Sequence, residues 1–299
     1  MTKKTQNWLI ALVVLALPFL VFISFFISDM AAPPPLPPLP NPNGYDDFIK
    51  AAKTVRSDVW DYDKMNEAQL QALVSANAAA LSAARAGFSN QCAVPIQFTE
   101  AYLNNDINDL ALLKRLAAAF AAEGKLAEME NRPADAAKSY LDTFHFGSES
   151  MRGGVLIDGL VGIAIQAIAT SHLTSLVDQL DAKSCRETAM ALETLDSQSP
   201  SWTEILQGEH VWQKGYAHLQ KIPDSELKTM EPSIQKDDQA VELKFDADIR
   251  KTRQLVIRLA ARAYELDKGK PPATVSDLVP DYLKAVPKDP ATGQDLNLN

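Results

Sequence analysis

The hydrophobic pattern changes twice along the chain. Trp8 to Ile27 reads WLIALVVLALPFLVFISFFI, twenty residues without a charge. As a helix rising 1.5 Å per residue, that run is roughly 30 Å long, the thickness of a bilayer hydrocarbon core. Ala31 to Asn43 reads AAPPPLPPLPNPN, which predicts a polyproline II spacer of roughly 3.1 Å per residue. From Gly44 onward apolar residues recur three and four apart. Phe48, Ala51, Ala52 and Val55 mark one helical face, and Leu70, Leu73, Val74, Asn77 and Leu81 mark the next.

Helix breaks are legible at Gly87-Phe88-Ser89-Asn90, at Asn131-Arg132-Pro133 and at Pro200 after Asp196-Ser197-Gln198-Ser199. Strand patterns are nearly absent before the last thirty residues. The predicted class is therefore all-α. A cytoplasmic tip and transmembrane helix occupy 1–29, a Pro-rich linker 30–43, an ectodomain of antiparallel helical hairpins 44–268, and a short irregular tail 269–299 packs on that body. Leu110 to Gly147 has the small residues and short turn of a tetratricopeptide hairpin, but a repeat array needs several stacked copies. It reads as an alanine-rich hairpin. Val155 to Leu180 is the most apolar stretch outside the anchor; Asp158, Gln166 and His172 interrupt it, so it reads as a central buried helix. Lys236 to Lys268 predicts one long amphipathic helix with the stripe Leu255, Leu259, Ala263 and Leu266. Its bases Arg250, Lys251, Arg253, Arg258 and Arg262 read as a solvated face.

Topology follows from charge. Lys3 and Lys4 precede the apolar run and Asp29 follows it, which leaves the N-terminus cytoplasmic. A cleaved signal peptide has a core of about 7–15 residues ending in an A-x-A-like site. Here the core is longer and Ala31-Ala32 runs into Pro33. The expectation is an uncleaved single-pass anchor in the inner membrane, with the ectodomain in the periplasm. The net charge is -9, and outside residues 1–29 there are 27 Lys and Arg against 37 Asp and Glu. An acidic body is not drawn to polyanions or anionic lipid, so no nucleic acid is expected and membrane contact is through the anchor.

Candidate chemistry is sparse. Cys92 and Cys185 either bridge in an oxidising envelope or are two separate buried thiols. Glu209, His210 and His218 are the first residues to consider for a hydrolase, but two imidazoles about two helical turns apart do not hold one metal. No HExxH, G-x-S-x-G, Walker or dinucleotide motif occurs, so no cofactor and no metal are expected. Gly153-Gly154 beside Arg152 either holds an anion at a helix N-terminus or simply lets a packed helix begin. Trp202, Trp212 and Tyr216 line a groove or belong to the core.

The tail carries a resemblance. Asp267-Lys268-Gly269-Lys270-Pro271, then Val275 to Tyr282, then Asp289-Pro290-Ala291-Thr292-Gly293 resemble the segment after the long helix of type II secretion pseudopilins. Together with Asn43-Gly44-Tyr45-Asp46-Asp47 and Gly159-Leu160-Val161-Gly162-Ile163-Ala164-Ile165, the tail also resembles that of uncharacterised membrane-anchored proteins of planctomycete-type bacteria. Neither resemblance implies an activity. Pseudopilins have a leader ending in glycine and an acid early in the apolar helix; no glycine precedes Trp8 here and the apolar run has no acid, so filament assembly is not expected. Some pseudopilins hold calcium near this tail. Asp289 and Asp295 are too few for a cation that takes six to eight oxygens; Pro290 and Gly293 instead predict a turn, with Leu296 and Leu298 tacking the end down. The expected function is a membrane-tethered helical interaction or scaffold protein with a protein partner in the envelope. The alternatives are an envelope hydrolase with a site assembled from distant residues, or a diverged pseudopilin-like secretion accessory.

Overall fold

The computed structural model describes residues 35–298 except Ser57, Glu100 and Ala101, and excludes the side chains of 103–106, 224 and 227–237. The expected anchor lies outside the described residues, and the linker is described from residue 35. Among the described residues there are eight α-helices and no strand beyond a single bridge, Lys288 to Asp295. They are α1 Gly44–Lys53, α2 Glu67–Gly87, α3 Tyr102–Met129, α4 Pro133–Ser150, α5 Leu156–Leu176, α6 Ala182–Gln198, α7 Trp202–Leu219 and α8 Asp224–Lys268. The all-α reading of the body stands.

The boundary at residue 43 has a physical cause. Asn43 caps α1 by accepting from Tyr45 N, and its side chain also pairs both backbone groups of Ala93, at 2.8 and 3.0 Å. Gly44 N donates to Gln91 O at 2.9 Å. The spacer thus ends where its last residue is clamped to the loop after α2. Asn66 opens α2 with a capping box. Asn77, inside the apolar face of α2, is buried because its amide spans the backbone N and O of Arg56 at 2.7 and 3.0 Å.

From α1 to α5 consecutive helices pack on one another, most extensively α4 on α5, whereas α6 packs chiefly on α8. Between α3 and α4, Asn131 takes the left-handed conformation (φ 55°) and Pro133 is the first helical residue, as the sequence predicts. Phe48, Phe120, Phe144 and Phe146 are fully buried at the centre, with Phe48 and Phe146 edge to face at 5.1 Å. Burying each such ring contributes about 1.5–3 kcal/mol. A second, smaller core of Met151, Ile163, Trp202, Ile205 and Phe245 joins α5, α7 and α8.

Three expectations need correction. α8 begins at Asp224 rather than Lys236 and runs through Pro232. Leu266 is exposed, whereas Leu255, Leu259, Ala260 and Ala263 are buried. The bases of α8 are a solvated face only in part: Lys251 pairs with Asp248 and Arg262 with Glu265 on the same helix, but Arg253 pairs with Asp196 at 2.9 Å, Arg250 with Asp289 at 2.7 Å and Arg258 with Asp178 at 3.4 Å. The last three pairs reach α6, the tail and the turn before α6, which one helix viewed alone does not reveal.

The apolar stretch Leu156–Gln179 is long and apolar enough to cross a membrane by length and composition, and it lies in the middle of the chain. Only 39% of its apolar window is buried. Gly159, Gly162, Ile165 and Leu173 face inward while Ile157 and Leu160 are exposed. It is central but covered on one side.

The tail is docked. Gly269 ends α8 in the left-handed conformation (φ 71°). Leu278 and Leu283 enter the core, and Leu296 and Leu298 pack against it. Glu193 of α6 accepts from Lys284 N and Ala285 N at 3.0–3.2 Å. Asp289 accepts from Ala291 N and Thr292 N and pairs with Arg250, while Asp295 pairs with Lys288 at 2.9 Å. Both carboxylates are therefore used for turn geometry.

Candidate functional site

The start of α5 is closed by the chain's own acids. Asp158 accepts from Val155 N at 2.8 Å, and Glu209 of α7 accepts from Leu156 N at 3.0 Å. Gly208 lies so near that a Cβ there would be 2.1 Å from Gly154 O. Arg152 is taken up by Glu149 at 2.6 Å and by Gln198 O at 2.8 Å. Gly154 thus serves close helix packing and Gly153 a left-handed turn (φ 69°), with carboxylates where an anion would sit.

This arrangement also separates the hydrolase residues. Glu209 braces α5 and accepts from Gln213 at 2.9 Å, while His210 Nε2 faces Asp238 at 3.7 Å. His218 lies two turns further along α7. Neighbours in sequence point to different partners, so the three do not form one site. Among the described residues, no group of three or more His, Cys, Asp or Glu converges as a metal site.

Cys92 and Cys185 are both free and buried. The Cys92 sulfur fills the notch at Gly44, where a Cβ would lie 2.4 Å from it. The Cys185 sulfur lies 3.6 Å from Val177 O. Each thiol is packed in its own surroundings, so the bridge is absent. Burial, reinforced by the charge of Glu149, pushes the Cys92 thiol up to about 12; burial pushes Cys185 up to about 11. Both are protonated at neutral pH and poor nucleophiles.

A polar knot escaped the sequence reading. Tyr62 Oη lies 3.1 Å from His172 Nε2, whose ring stacks on Tyr140 at 4.5 Å, and Tyr140 donates to Glu128. Its members come from the 62–64 turn, α3, α4 and α5 and bond one another, so it ties four elements together.

A cleft of about 820 Å³ lies between the α6–α7 turn, α8 and the tail turn at Asp289. Ser201 opens α7 with a capping box to Glu204, which places Trp202 at the cleft floor. There the indole meets the Phe245 ring at 5.7 Å. Arg253 bridges Asp196 and Lys288 O, the latter at 2.6 Å. Burial lifts the Asp196 carboxyl above its ordinary range even with Arg253 beside it. Arg250 compensates Asp289. Glu242 and Asp246, one turn apart on α8, have no ion pair among the described residues. Burial, followed by the charge of Asp289, raises the Asp246 carboxyl against the pull of Arg250 and Arg253. At the rim, Leu243 is 68% exposed.

Of the aromatic trio, only Trp202 lines this cleft. Trp212 and Tyr216 stack on each other at 5.1 Å, with Tyr102 beside the indole, elsewhere on α7. The spacing of Glu242 and Asp246 was the one signal available in the sequence: like charges at i and i+4 repel on a helix. Compared with family models, curated proteins and solved structures, the chain matches none.

Proposed function

We propose that this chain is a membrane-tethered helical interaction protein of the cell envelope that engages a protein partner at the cleft of Trp202, Phe245 and Leu243. In this reading Trp8–Ile27 anchors the chain in the inner membrane, the Pro-rich linker holds the body off the bilayer, and the hairpins form a periplasmic platform. The observation that carries it is the cleft. It has an apolar floor, a charged rim and an exposed leucine at its lip, the combination of apolar core and polar rim found in protein interfaces. The uncharged run Trp8–Ile27 supports the tether.

The test places a photo-crosslinking amino acid at position 243 of the full chain in its native membranes, with position 107, also exposed, as control. A discrete crosslinked species at 243, absent at 107 and lost with Trp202→Ala, is expected. Equal crosslinking at both positions, or none at 243, overturns the reading.

A further inference from the structure

We infer that the segment received by the cleft is basic: a lysine or arginine flanked by apolar residues in the partner protein. This rests on the interaction reading and specifies its chemistry.

The argument starts with the cleft's charges. Arg253 pairs with Asp196 and Arg250 with Asp289, and both bases are held by partners on other elements. Glu242 and Asp246 remain, both half-buried and neither in an ion pair among the described residues, although the charges of Arg250 and Arg253 reach Asp246. They lie one turn apart on α8, where like charges repel, and Asp289 adds a third carboxylate to the same wall. Asp196, Glu242, Asp246 and Asp289 thus face only Arg250 and Arg253, and the excess negative charge is what a cation in the cleft would offset.

The floor selects which cation. Trp202, Phe245, Met151 and Ile249 line it, a surface suited to the methylene stem of lysine or the flat guanidinium of arginine. A bare metal ion gains nothing from such a floor. The exposed Leu243 between the two acids is matched by an apolar neighbour of the basic residue, which a free polyamine lacks. The size of the opening, about 820 Å³, suits a few side chains of a peptide.

The test uses the full chain in detergent micelles and a fluorescently labelled peptide of alternating leucine and lysine. Its counterpart with glutamate at every lysine is the negative probe. The lysine peptide is expected to bind, more weakly as salt is raised, and the glutamate peptide not to bind. The double variant Glu242→Gln with Asp246→Asn is expected to lower affinity about tenfold or more. Its fold is checked by circular dichroism, and Glu187→Gln, on α6, is expected to leave binding unchanged. Equal binding of the two peptides, or unchanged affinity in the double variant, overturns the inference. So does spermidine binding as tightly as the peptide, which would make the ligand a polyamine. If no peptide binds while position 243 still crosslinks, the basic segment falls and the interaction reading survives; if neither occurs, both fall.

Discussion

Arg253 and Asp196 join α8 to α6 at 2.9 Å, on the wall of a cleft where the tail meets both helices. The same guanidinium donates to Lys288 O, so one side chain also positions the tail.

Replacing Arg253 by methionine keeps a stem but leaves Asp196 buried without its base. Loss of one partner of a largely buried pair costs about 2–4 kcal/mol. Urea unfolding is expected to show a lower midpoint with an unchanged slope. Arg253→Lys is expected to recover only part, because an ammonium does not reproduce the two directed bonds.

Helix contact at Gly208 predicts a steric result. Gly208→Ala sets a methyl against Gly154 O and is expected to cost about 3 kcal/mol. Gly293→Ala adds a methyl in open space at φ 69° and costs about 1 kcal/mol through backbone strain alone. Thermal unfolding of both variants checks the order; the reverse order would show that the α5–α7 contact yields easily.

His145 stacks on Phe88 at 4.2 Å, and burial holds its imidazole below the ordinary value of 6.5, against the pull of Glu149 and Asp142. The unfolded chain therefore binds a proton before the folded one does. Stability from this residue is complete above the ordinary value and declines as pH falls below it. The difference in Tm between the natural chain and His145→Phe is expected to change between about pH 8 and pH 5.5 in that direction. A constant difference would remove His145 from the account.

Two free buried thiols predict a simple titration. Under non-reducing conditions the folded protein is expected to react slowly with a thiol reagent, and the denatured protein to release two equivalents per chain. Zero equivalents after denaturation would reveal a bridge between Cys92 and Cys185.

The body's helices were legible because their causes are local. Pro133 after Asn131 and Gly269 after Lys268 are a helix start and a stop readable from side-chain chemistry alone. The tail turn at Asp289-Pro290-Ala291-Thr292-Gly293 is local in the same way. Pro232 marks where that logic misleads: proline disfavours a helix interior, yet α8 runs through it.

The candidate site was far less legible. Glu209 and His210 are neighbours on one helix, but adjacent helical positions diverge by about 100°, and only packing shows that one braces Leu156 while the other faces Asp238. Arg250, Arg253 and Arg258 of α8 looked solvated because their acids are Asp289, Asp196 and Asp178, at least 39 positions away in each case. The residues of the polar knot likewise lie as far apart as Tyr62 and His172, 110 positions.

Sequence alone determined the helical class, the helix breaks at 87–90, 131–133 and 200, the acidic balance and the uncharged run at Trp8–Ile27, because propensity, turn chemistry and charge act over a few residues. Tertiary structure decided that both cysteines are free, that α5 is covered on one side, and that Glu242 and Asp246 are left without an ion pair at a cleft among the described residues. Those outcomes, the partial compensation of Asp246 by Arg250 and Arg253 among them, depend on which residues meet, and meeting is settled by packing.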